Sequence, residues 1–135
     1  NILYLADNSM NWPIKKHCVD IFIDYFGNNE YAIYKDAFIF EELEPFLTPN
    51  AETMGTFFHF NNFSGSFKLL KERYPETYEN NFNLTAFKED LRLHKFKMID
   101  EQDIASILDS GENRAFNFHK KGEKMTLHSF YAKKD

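Results

Sequence analysis

Sixteen phenylalanines, placed singly or in close pairs and never joined into a long apolar run, set the first limit on what this 135-residue chain can fold into. Each buried Phe removes roughly 150–250 Å² from water. A core made of such rings needs short elements that each present one apolar face. No stretch reaches the eighteen consecutive apolar residues of a membrane-spanning helix, and no basic-then-apolar segment of the secretory kind opens the chain. Cys18 has no second cysteine to pair with, the usual condition in a reducing compartment, so a cytoplasmic location is expected. Size scaling lets one domain, residues 1–135, bury about two thirds of the surface its unfolded form exposes.

Periodicity suggests the elements. Pro13 suits a first helical turn, and Ile14, Cys18, Ile21, Phe22 and Tyr25 then recur at helical spacing, which predicts a helix with Cys18 in the core. "YAIYKDAFIF" reads as one or two strands, with Phe38 and Phe40 alternating inward, and "TFFHFNNF" over 56–63 as another. Ser64 and Ser66 offer caps for a helix through Phe67, Leu70 and Tyr74 that stops near Pro75. Helices are also expected near 84–96, through Leu84, Phe87 and Leu91, and from Asp100 to Leu108, with Asp100 as cap and Asp103 three residues on. The C-terminal "RAFNFHKKGEKMTLHSFYA" alternates around a Gly-containing turn. It predicts a hairpin in which Ala115 faces His128. The expected class is α+β: a mainly antiparallel sheet with about four helices packed against it and a C-terminal β-hairpin.

The chemistry is defined first by absences. No phosphate-binding glycine loop, dinucleotide fingerprint, HExxH, paired CxxC or GxSxG motif occurs. Five histidines are available: His17, His59, His94, His119 and His128. Asp90 and His94 stand one helical turn apart, too few for a metal site, and His59 within "FFHF" reads as a hydrogen-bonded strand residue. On this basis no catalytic residue, metal or cofactor is assigned.

Charge is distributed unevenly. Residues 1–66 hold nine acids against three bases, whereas residues 67–135 hold twelve acids and thirteen bases. "FIFEELEPF", residues 38–46, concentrates Glu41, Glu42 and Glu44 beside Asp36, Tyr31 and Tyr34. An acidic, aromatic surface attracts basic proteins and repels phosphate and nucleic acid. Tyr31, Tyr34, Asp36, Glu41, Glu42 and Glu44 are therefore the expected partner-binding set. In size and charge the chain is similar to bacterial immunity proteins, which implies a non-enzymatic inhibitor of a basic, nuclease-type toxin. The alternatives are a small hydrolase or transferase with a dispersed His, Asp and Ser site, including His128, Ser129 and His119, or an assembly module of a virus or larger complex.

Overall fold

A computed structural model describes residues 14–25, 38–73, 75, 82–108 and 124–135. Among the described residues four strands form one sheet: β1 (Val19–Asp24), β2 (Leu47–Phe60), β3 (Phe96–Leu108) and β4 (Lys124–Lys134). The described helices are α1 (Phe40–Leu43), α2 (Phe63–Arg73) and α3 (Leu84–Leu93), and one 3-10 turn runs through Glu44–Phe46. Strand order is β1-β2-β4-β3. β1 runs parallel to β2, while β4 is antiparallel to both β2 and β3. The sheet is thus mixed and carries three short helices among the described residues, which corrects the expected antiparallel sheet with about four helices.

Two of the corrections share a cause. Residues 14–25 form no helix: Val19, Ile21 and Ile23 are β-branched and pair along β2, with Phe22 and Asp24 turned to the core and Ile21 and Ile23 outward. Helical spacing of the apolar residues was real, but so was an alternation disguised by the buried Asp24. Asp100–Leu108 is likewise strand, because β4 offers a row of backbone partners that outweighs local capping signals. Cys18 is exposed, its thiol donating to the Lys15 carbonyl at 2.8 Å, so the expected core position is also corrected.

Other readings stand in part. Of the expected 56–63 strand, 56–60 lie in β2, which starts at Leu47, and Phe63 instead opens α2. Helix α2 ends at Arg73, before Pro75; positions 64 and 66, expected as caps, fall inside it, and the Asn62 side chain accepts from the Gly65 amide. Helix α3 begins behind Asn83, whose side chain accepts from the Ala86 amide at 3.1 Å. Phe38 and Phe40 are buried as expected, but they lead into α1 instead of alternating along a strand. Residues 31–37 lie outside the described residues. So does the run 114–119 of the expected hairpin; among the described residues β4 is flanked by β2 and β3, and His128 stands opposite Phe57 and Asp103.

The larger core lies on the sheet face that bears Phe22, Phe57, Phe130 and Ala132, covered by Phe38–Leu43 and α3. Phe87 of α3 is its centre. Its ring stacks on Phe57 at 4.5 Å and meets Phe130 edge-on at 5.0 Å and Phe38 at 5.5 Å. A smaller core on the opposite face joins Phe60 and Met125 to Leu70 of α2. Gly55 allows β1 and β2 to approach closely, since a Cβ there would stand 1.9 Å from the Asp24 carbonyl oxygen. Phe87→Ala should cost about 3–5 kcal/mol through the cavity left among these rings. Urea unfolding measures this, and a loss below about 1 kcal/mol would show that the rings do not clamp α3 to the sheet.

Candidate functional site

Three strands converge on one polar cluster. Residues directly opposite in a sheet point to the same face, and the register sets His59 beside Thr126 and Phe57 beside His128 across β2 and β4. On the other side of β4, Asp103 stands opposite His128 and Glu101 opposite Phe130. Two irregularities in β3 matter here, one between Met98 and Asp100 and one between Asp103 and Ala105. Without the first, the alternation would put Gln102 opposite His128 and turn both Glu101 and Asp103 to the other face. The extra residue therefore selects which acids enter the cluster.

The Asp103 carboxylate is shared. Its Oδ1 lies 2.8 Å from His128 Nδ1 and 3.4 Å from His59 Nε2. His128 Nε2, on the far side of the ring, lies 2.9 Å from Glu101 Oε2, and Lys88 of α3 pairs with that same glutamate. The two imidazoles are buried and cross edge to face, with centroids 5.9 Å apart. Asp103 retains a side-chain exposure of 55%, so the cluster opens to solvent along β3. Beside it, Thr126 donates to Asn61 at 2.7 Å and shares a 3.0 Å hydrogen bond with Ser106.

The electrostatics follow the contacts. Hydrogen bonding to His128 holds the Asp103 carboxyl below its ordinary pKa despite some desolvation, and His59 adds to the effect. The Lys88 hydrogen bond lowers the Glu101 pKa against the opposing effect of burial, and His128 contributes in the same direction as Lys88. Both ring nitrogens of His128 face carboxylate oxygens, and an imidazole can donate from both only as the imidazolium.

A third histidine, His94, caps the C-terminal end of α3. His94 Nδ1 is 2.5 Å from Glu44 Oε2 and its Nε2 is 3.8 Å from Asp90. Burial raises the Asp90 pKa against the attraction of His94, with Glu41 and Glu44 adding to the rise, and Asp90 Oδ2 has no hydrogen-bond partner among the described residues. Burial also pushes Glu44 upward, but hydrogen bonds from His94 and Lys134 outweigh it and its pKa falls.

The expected partner-binding set is not assembled into this cluster. Tyr31, Tyr34 and Asp36 lie outside the described residues; Glu41 is exposed and Glu42 half-buried on α1, and Glu44 is held by His94 and Lys134. Glu52, another acid of the first half, pairs with Lys133. Part of the negative excess is thus neutralised by the chain's own C-terminal lysines. Of the expected alternative site, His128 is present, Ser129 points to the opposite face and His119 is outside the described residues. Sequence reasoning missed Asp103 and Glu101 because it read their segment as a helix start. Their i, i+2 spacing was the available sign of one strand face.

No family model matches the chain, and no curated protein sequence does. Solved structures do. A SAM-dependent methyltransferase from Methanosarcina mazei superposes on 95% of this chain at a TM-score of 0.58 and 17% identity. The YcgJ protein from Bacillus subtilis covers 92% at a TM-score of 0.54 and 9% identity. The chain spans 65% and 66% of those structures, respectively. At such identities the likeness shows the fold alone: a methyltransferase-like one. That finding corrects the expectation of a non-enzymatic immunity protein or toxin inhibitor.

Asp103→Asn and Asp90→Asn should shift stability with opposite sign. The folded pKa of Asp103 is lowered, so its contribution is present above the ordinary carboxylate value of about 3.9 and is lost as pH falls through the lower folded value. That of Asp90 is raised, so its ionisation weighs against the folded state as pH rises out of the acid range. At neutral pH the Asp103 variant should be less stable than wild type and the Asp90 variant more stable, both differences shrinking on acidification. Urea midpoints across the carboxylate range measure the two slopes, and slopes of equal sign would contradict these assignments.

Proposed function

We propose that this chain works in a SAM-dependent methyl-transferring enzyme, with the His59–Asp103–His128 cluster serving the methyl acceptor. The supporting observation is the sheet itself: order β1-β2-β4-β3 with β4 inverted between its neighbours, within a superposition on a SAM-dependent methyltransferase that covers 95% of the chain. In open α/β sheets ligands bind beyond the carboxyl ends of the parallel strands. His59 is the penultimate residue of parallel strand β2, so the cluster lies at that end.

S-Adenosylmethionine, when bound, supplies an electrophilic methyl group. Among the described residues no set fits the whole cofactor. Asp24, at the carboxyl end of β1, is only 4% exposed, and the cluster's carboxylates are already engaged by histidine and lysine. The reading therefore rests on the fold and on what the cluster can do for an acceptor. A hydroxyl or amine that receives a methyl group must lose a proton. With its Nε2–H donated to Asp103 Oδ1, the His59 ring can take that proton at Nδ1, while His128 holds Asp103 from the other side.

The full-length protein, methyl-labelled S-adenosylmethionine and a panel of hydroxyl and amine acceptors provide the test. Transfer of label is expected. His59→Ala and Asp103→Asn should lower kcat by roughly 100-fold, the usual scale of a lost acid–base group, and leave cofactor affinity unchanged. Absence of both cofactor binding and label transfer would refute the reading.

A further inference from the structure

We propose that His59, Asp103 and His128 form a binding site for a first-row divalent cation of the Zn²⁺ class. The inference stands on the cluster's geometry and does not depend on the transferase reading. One ligand atom from each residue lies within 4.8 Å of the others. His128 Nδ1 and His59 Nε2 both face the same oxygen, Asp103 Oδ1, at 2.8 and 3.4 Å. Ligands about 2.0–2.2 Å from a tetrahedral Zn²⁺ stand about 3.3–3.5 Å apart, so movements of about 1 Å or less admit the ion.

Two further features belong to metal sites more than to an isolated ion pair. A ligating histidine commonly donates its other ring N–H to a carboxylate, which fixes its tautomer and orientation. His128 does this through Nε2 to Glu101, itself anchored by Lys88. The site is also walled on one side only: both imidazoles are buried on central strands, whereas Asp103 lies on β3, beyond β4, and is half-exposed. Three protein ligands leave at least one position open toward that side, as in catalytic zinc sites. Two imidazoles and one carboxylate suit Zn²⁺, Co²⁺ or Fe²⁺ and not Mg²⁺, which prefers oxygen ligands and keeps its waters. With metal bound, the ring nitrogens cease to be free bases, and the site would instead polarise an acceptor oxygen or lower the pKa of a bound water.

Co²⁺ titration of the untagged full chain, followed by Zn²⁺ displacement, reads the site without cofactor or acceptor. One equivalent of Co²⁺ should give a saturable visible ligand-field band that Zn²⁺ removes and excess Mg²⁺ does not. His59→Ala and Asp103→Asn should each weaken binding at least tenfold, and Glu101→Gln by about 10–100-fold through His128. His17→Ala should bind as wild type, because that ring lies against the Leu47 carbonyl at the opposite end of β2. Circular dichroism separates metal loss from unfolding, and the half-exposed Asp103 is the variant least able to disturb the core. A missing band, or one unchanged by both Asp103→Asn and His59→Ala, would overturn the site.

Discussion

The stack of Phe87 on Phe57 is the contact on which the rest of the molecule depends. It joins α3 to the middle of the sheet with the rings nearly parallel, 9° apart, and Phe38, Phe40 and Phe130 close around it. Offset and edge-on aromatic contacts add specificity to burial, since ring quadrupoles favour some orientations over others. That packing fixes α3 over one face and brings Lys88 of the same helix to Glu101 of β3. Core geometry and site geometry are therefore linked through a single helix.

Polar order at the cluster depends equally on strand register. β4 occupies the centre of the exchange: it presents His128 toward β3 and faces Thr126 to His59 of β2. The irregularity at Ile99 offsets β3 by one residue and turns Glu101 and Asp103 inward, leaving Ile99 itself exposed. An uninterrupted strand of the same composition would bury the wrong side chains. Bulges at functional positions commonly serve such re-aiming.

Part of the charge asymmetry has a use within the fold. Glu44 and Glu52 of the acidic half meet Lys134 and Lys133 of the last strand, and Glu44 also meets His94. The exposed Glu52–Lys133 pair contributes little stability by itself, whereas the two contacts of Glu44 are partly buried. The two lysine pairs do match the first half of the chain to its C-terminal strand, across which β2 and β4 pair. A count of charges along the chain cannot distinguish an outward-facing field from one closed by the protein's own lysines.

What the residues determined alone was mostly local. Helix α3 was legible because Leu84, Phe87 and Leu91 share one helical face, and the end of α2 because Pro75 cannot continue a helix; the Asn83 cap was not read from the sequence. Phe-rich burial was legible too, since so many rings have no other way to leave water. Tertiary structure decided the rest. Segments 19–24 and 100–108 satisfy helical spacing, but each finds a strand edge from a distant part of the chain, and backbone pairing there outweighs local preference. The site was hidden for the same reason: His59, Asp103 and His128 lie 44 and 25 residues apart, and only three-strand register brings them to one face.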